Sequence, residues 1–154
     1  MGQQHRQHEV DVVAGALTLP PGVTVRAWEA HDFTAIQRLS REEGWTTPMD
    51  RPHDALEAWR RSWPALVAVT ESTVIGFCRC VSDGSVTTYV AEVLVAPPWR
   101  GQGVASALLK GCQRLCPGSR LDLLASSTSR AYYEHIGFRP FAGYRLSWAE
   151  REVL

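Results

Sequence analysis

Between Ala65 and Ala96 the chain reads ALVAVTESTVIGFCRCVSDGSVTTYVAEVLVA, three apolar runs parted by ESTV and by SDGS. Short runs rich in β-branched residues and bounded by turn residues are strands, and the Asp-Gly pair in the second break is a hairpin signal. Consecutive strands joined by tight turns pair antiparallel. The stretch predicts an antiparallel meander, and the remaining elements must cover its faces.

Those elements are legible on either side. VTVRAW (Val23 to Trp28) alternates like a strand, and HDFTAIQRLSREEGW puts Phe33, Ile36 and Leu39 near one helix face until Gly44 stops it. In DALEAWRRSW, from Asp54 as cap to Trp63, Leu56, Trp59 and Trp63 recur at helical spacing, and Pro64 ends the run. Beyond the meander, Val104, Ala105, Leu108, Leu109, Cys112 and Leu115 form a helical stripe that stops at Pro117 and Gly118. RLDLLAS then reads as a strand, STSRAYYEHIGF as a short helix ending at Gly137, and YRLSWAERE as a last strand. The order β α α β β β α β α β mixes hairpins with a crossover, so the class is α+β, one mainly antiparallel central sheet flanked by helices. Residues 1–21 show neither period and end in PPG, which reads as a mobile tail before a single domain over 22–154.

Composition narrows the partners. Sixteen Lys and Arg balance sixteen Asp and Glu, which leaves no electrostatic footprint for nucleic acid or an anionic membrane. No run approaches the roughly 20 apolar residues of a membrane span, and the polar start lacks a signal-peptide pattern, so a cytoplasmic protein is expected. Four cysteines, Cys78, Cys80, Cys112 and Cys116, lie in apolar stretches without CxxC spacing or a nearby histidine. Cys112 and Cys116 share a helix face but lack a second ligand pair, so all four read as reduced core thiols and no metal is expected.

The chemistry gathers at APPWRGQGVASALL. Gly101 and Gly103 let backbone amides turn inward, and the following helix adds unpaired N–H groups and a positive dipole end. An anion belongs there, a pyrophosphate first of all, with Arg100 as a cation beside it. A Walker loop needs Lys and then Ser or Thr after its last glycine, where this chain has Val104 and Ala105. A Rossmann fingerprint would have a glycine at Ser106 and an acidic residue at a strand end, whereas Asp122 falls inside a strand.

The third alternative is a resemblance. VLVAPPWRGQGVASALL resembles the cofactor segment of the GNAT N-acetyltransferases, whose pattern of Arg or Gln, two residues, Gly, one residue, Gly or Ala is met by Arg100, Gly103 and Ala105. AYYEHIGFRP is similar to the family's helix that ends in a tyrosine, an acidic, a basic and an aliphatic residue and Gly-Phe, and the two segments stand in the family's order with one strand between them. The resemblance covers about Val23 to Ser147. It implies a GNAT-like fold and acetyl-CoA as co-substrate. The pyrophosphate would lie on the amides of Arg100, Gly101, Gln102, Gly103, Val104 and Ala105, and the pantetheine arm along Val93, Leu94 and Val95. Where many members place an asparagine before the last helix, this chain has Ser126, whose hydroxyl can still donate and accept.

Acyl transfer from a thioester needs a free amine, a place for the oxyanion and a proton for the leaving thiolate. Glu92 is the one charged residue in an otherwise buried-looking strand, either a base for the amine proton, or half of a structural ion pair with an arginine, or a residue on a face open to solvent. Tyr133 matches the family's tyrosine near the cofactor sulfur, and a phenol with pKa about 10 can protonate a thiolate whose thiol lies near 8.5. Tyr132 and Ile136, four apart, would share the core-facing stripe and leave Tyr133 turned away from it. His135 reads as a surface residue at a helix end. Among Trp28, Trp45, Trp59 and Trp63, most belong to the core, and Trp45 beside Glu42 and Glu43 is the candidate for meeting a cationic amine. The expected function is transfer of an acetyl group from acetyl-CoA to a primary amine by direct attack, the alternative a non-catalytic acyl-CoA-binding module. The last strand leaves room for a homodimer.

Overall fold

The computed structural model describes residues 3–147. Residues up to Leu123 gather into one compact unit and those from Leu124 into a second. In the first, the order is α1 (Gln3–Ala14), β1 (Val23–Ala27), α2 (Phe33–Glu42), α3 (Thr47–Asp50), α4 (Pro52–Arg61), β2 (Ala65–Thr70), β3 (Thr73–Ser82), β4 (Thr87–Val95), α5 (Val104–Leu115) and β5 (Arg120–Leu123). The strands form one sheet in the order β1-β2-β3-β4-β5, antiparallel throughout except that β5 runs parallel to β4 after the α5 crossover. The expected meander is β2, β3 and β4. Its second hairpin is built as the Asp-Gly pair demands: Gly84 takes φ +77°, and Asp83 Oδ1 accepts from the amides of Ser85, Val86 and Thr87 at 2.8, 2.7 and 3.1 Å.

Strand β2 is buried at its first five residues because both faces of the sheet are covered. On one face Ala65, Val67, Val69, Val74, Phe77 and Leu94 pack against Phe33, Ile36 and Leu39 of α2 and Trp59 of α4. On the other, α5 lies against the sheet so closely that a Cβ on Gly111 would stand 2.9 Å from Leu66 Cδ1. A glycine inside a helix costs about 1 kcal/mol relative to alanine, and here its missing side chain permits the approach.

Before α2 the chain makes a single tight turn, Ala30–Asp32, held from within the fold. Arg26 Nη1 and Nη2 each lie 2.8 Å from an Asp32 oxygen, and the Glu29 amide donates to Oδ2 at 2.8 Å. Burial pushes the Asp32 carboxyl up, and the Arg26 guanidinium and the Glu29 amide outweigh it, so its pKa lies below the usual carboxylate range.

Several expectations change. Residues 3–14, expected as part of a tail, carry helix α1, in which Val10 is 1% exposed and which packs along β1 and α5. One buried position gives no repeat for a sequence pattern to register. Helix α4 begins at Pro52, whose missing N–H suits a first turn. Asp54 therefore lies inside that turn, 2.9 Å from Arg51 Nε, and Trp63 lies beyond the helix, bridged to Val81.

The second unit holds α6 (Arg130–His135), after which Gly137 takes φ +103° and the Phe138 amide donates to the Tyr133 carbonyl at 2.9 Å. Tyr144 to Ser147, the start of the expected last strand, carry no regular structure, and the rest of YRLSWAERE lies outside the described residues. Tyr144 is 94% exposed and Leu146 47%, and among the described residues no strand pairs with them.

Candidate active site

The site begins where β4 loses its neighbour. Strand β5 pairs with β4 only from Thr87↔Arg120 to Val90↔Leu123. From Ala91 to Val95 that edge of β4 has no strand beside it among the described residues. On the other edge the register with β3 slips between Arg79↔Glu92 and Cys80↔Val90, which makes Ala91 a bulge. A bulge sharpens twist, so the end of β4 diverges from β5 at the point where Glu92 enters. Val93, Leu94 and Val95 follow along this edge.

Glu92 has the arginine partner that the sequence left as one of three readings. Arg79, directly across the hairpin, places Nε 2.7 Å from Glu92 Oε2 and Nη1 3.0 Å from the Ser62 hydroxyl. The Glu92 side chain remains 23% exposed, and among the described residues only its Oε2 is engaged. Sequence reasoning passed over Arg79 because matching it to Glu92 requires knowing where the bulge falls.

Past β4, Pro97–Trp99 make a single turn and the Arg100 amide donates back to the Pro97 carbonyl at 3.2 Å. The Arg100 guanidinium is also committed, Nε to the Val95 carbonyl at 2.8 Å and Nη2 to Glu43. It braces the end of β4 against the end of α2 instead of standing as a loose cation beside the bend. Gly101 at φ +73° and Gly103 at φ +87° make the turn itself. A Cβ at either would meet nothing within 4 Å, so backbone conformation and not crowding asks for glycine. Among the described residues, the amides of Gly101, Gln102 and Gly103 donate to no backbone carbonyl. Helix α5 starts at Val104 with Gly103 as its cap, so the Val104 and Ala105 amides are also unpaired by the helix geometry. Five consecutive donors and a helix dipole converge here, one fewer than the sequence suggested.

Two cations that the sequence reading did not single out stand further along α5, Arg114 in its last turn. A cavity of about 340 Å³ separates the segment 16–20 from α5 and is lined on the helix side by Gly103, Ser106, Lys110 and Arg114. Arg114 Nη1 also donates to the Ala16 carbonyl at 2.9 Å. These residues recur at helical spacing, a polar stripe that could have been read beside the apolar one.

In the second unit, Ser126 anchors the start of α6. Its carbonyl accepts from the amides of Ser129 and Arg130, and its hydroxyl lies 3.0 Å from Thr128 Oγ1 and 2.9 Å from Ser129 Oγ. Tyr133 is half-buried, its ring 5.3 Å from that of Tyr132 and 5.6 Å from that of Phe138. The expected division between the tyrosines changes, since Tyr132 is 38% exposed instead of filling a core stripe. A helix of six residues is too short to set one face firmly inward. Partial burial still pushes the Tyr132 phenol up. His135 is exposed at the helix end, as expected.

On the α2 side, Trp59 is 1% exposed and stacks with Trp28 and Phe77 at 5.3 and 5.5 Å. Trp45 is 36% exposed, edge-on to Phe77 at 6.5 Å. Glu43 is taken by Arg100 and Glu42 lies 3.4 Å from Arg38, so the acidic pair beside Trp45 is already neutralised.

A family model for an acetyltransferase (GNAT) domain matches residues 61–140. The fold is similar to that of a GNAT-family acetyltransferase from Streptococcus pneumoniae TIGR4, 21% identical, covering 82% of this chain and 98% of that one with a TM-score of 0.68. It is similar also to the PaiA N-acetyltransferase of Thermoplasma acidophilum in complex with coenzyme A, 17% identical over 76% of this chain and 89% of that one, TM-score 0.64. A third is AAC(6')-Iy in complex with the bisubstrate analogue CoA-S-monomethyl-acetylneamine, 20% identical over 81% and 98%, TM-score 0.60. No curated protein matches the sequence.

Proposed function

Since this chain belongs to the GNAT acetyltransferase family, we propose that it transfers an acetyl group from acetyl-CoA to a primary amine by direct attack. The observation that carries this reading is the continuity of two vacancies. Among the described residues, the edge of β4 without a strand at Ala91–Val95 runs into a bend whose amides from Gly101 to Ala105 find no backbone acceptor. An extended pantetheine arm could complete the sheet edge while its pyrophosphate meets the bend. Lys110, on the same cavity wall as Gly103, adds positive charge about two turns along α5 from the bend.

In the reaction the amine nitrogen bonds to the thioester carbonyl, the C–S bond breaks, the nitrogen gives up a proton and the thiolate takes one. Glu92 Oε1, which Arg79 leaves free of its grip, is the acceptor for the amine proton, directly or through water. A backbone amide near Val93 or Leu94 meets the oxyanion, and the Tyr133 phenol returns a proton to sulfur. Ser126 takes the sequence position of the family's asparagine, and its hydroxyl is our candidate for pairing with the pantetheine arm. We place the protein in the cytoplasm, where its four free thiols stay reduced. No helix among the described residues is long and apolar enough to cross a membrane.

The Arg79–Glu92 pair favours one second reading, a module that binds acyl-CoA without turnover, because it gives the carboxylate a structural reason to exist. Calorimetry with acetyl-CoA followed by a thiol-release assay over an amine library decides. Heat and release with at least one amine support the enzyme, heat without release selects the binding module, and absence of heat ends both. Tyr133→Phe is expected to lower turnover about a hundredfold with acetyl-CoA affinity unchanged. Unchanged turnover across the library removes the phenol's role.

A further inference from the structure

The cysteines, set aside in the sequence for want of a second ligand pair, find one through the fold. Cys78 and Cys80, two apart on β3, face the same side of the sheet, and Cys112 of α5 closes on them; all three are 0% exposed. Cys78 Sγ lies 3.8 Å from Cys80 Sγ and 3.6 Å from Cys112 Sγ, and the three sulfurs fall within 4.8 Å of one another. Bonds of about 2.3 Å at a tetrahedral angle set two sulfurs about 3.8 Å apart, and a narrower pyramidal angle draws them a few tenths of an ångström closer, so the Cys78–Cys80 and Cys78–Cys112 pairs are already spaced as ligands. Gly111, next to Cys112, is the residue whose missing Cβ lets α5 lie this close to Leu66.

We propose that Cys78, Cys80 and Cys112 form a three-coordinate site for a soft, thiolate-seeking ion, and that their burial selects a trivalent one such as arsenic(III). Among the described residues no other histidine, cysteine or carboxylate joins the group, so coordination stops at three. Charge then discriminates. Three thiols and arsenous acid exchange three As–O bonds for three As–S bonds and release three waters, with no change of oxidation state and no net charge left in the core. A divalent ion bound by three thiolates leaves one negative charge, which is costly away from water. Arg79, between the two strand cysteines, is already bound to Glu92, whose negative charge offsets it. A filled site would clip β3 to the helix whose first turn forms the bend.

The test equilibrates the reduced full-length protein with arsenite free of small thiols, then measures retained arsenic, the unfolding midpoint and the arsenic absorption edge. One arsenic per chain, a raised midpoint and three sulfur neighbours at the edge are expected. Cys116→Ala should bind as the natural chain does, and Cys112→Ala about tenfold more weakly or worse. Absence of retained arsenic, oxygen in the arsenic shell, or equal retention by Cys112→Ala overturns the site. The edge measurement needs no variant, so it decides even if Cys112→Ala does not fold. Zinc held as tightly as arsenic overturns the selection by charge.

Discussion

Asp32 and Glu92 each face an arginine of an adjacent strand, yet they are held to different degrees. Asp32 is 2% exposed at its side chain, and both oxygens are engaged, by the two Arg26 nitrogens and the Glu29 amide. Glu92 is 23% exposed and gives one oxygen to Arg79. A carboxylate with every acceptor occupied holds a turn in place and has nothing left for a substrate. One with a vacant oxygen at an open strand edge can still accept a proton. On the proposed mechanism the difference separates a structural ion pair from a working one, even though a sequence shows both as acidic residues within reach of arginine.

The comparison can be broken by experiment. The largest effect is expected at Asp32→Asn, which leaves Arg26 part-buried without its counter-charge and should lower unfolding free energy by about 3 kcal/mol, with turnover per folded molecule unchanged. Denaturant unfolding beside active-site-normalised rates would show it. Glu92→Gln, which keeps an oxygen for Arg79, should reverse the profile, lowering kcat about a hundredfold, close to 2.7 kcal/mol, with little change in unfolding. If Glu92→Gln unfolds early and its folded fraction works normally, the two carboxylates are alike and the comparison fails. Arg79→Gln should cost about 1 kcal/mol of stability and lower kcat more than it changes KM. Equal losses in both constants, following the folded fraction alone, would make Arg79 a brace only. The smallest effect is in acid. Because the Asp32 pKa lies below its unfolded value of about 3.9, its contribution is fully present above that value and is lost as pH falls through the lower folded one. Between pH about 5 and 3 the natural chain should therefore lose more stability than Asp32→Asn, and parallel slopes would contradict the Arg26–Asp32 assignment.

What the sequence made legible was local. The DG hairpin, the stripe of Phe33, Ile36 and Leu39, and the helix after Gly103 each rest on neighbours within one or two turns, and each stands where expected. The bend could be read because Gly101 and Gly103 are required by backbone angle alone. What stayed hidden depends on distant partners. Helix α1 contributes one fully buried residue, Val10, and so shows no period. Arg79 meets Glu92 through a bulge that shifts the register, and Cys112 meets Cys78 across 34 residues. The tyrosines of α6 failed for the opposite reason, since six residues are too few for helical spacing to choose which ring faces inward.

The parting of β4 from β5 after Val90 has a cost that falls on the protein when nothing fills it. A bare row of peptide groups is adhesive toward any extended chain, including another copy of itself. Samples kept without ligand should therefore clump with time and concentration, while a molecule that completes the sheet there would act as a chaperone for storage, suppressing scattering even where it is never turned over.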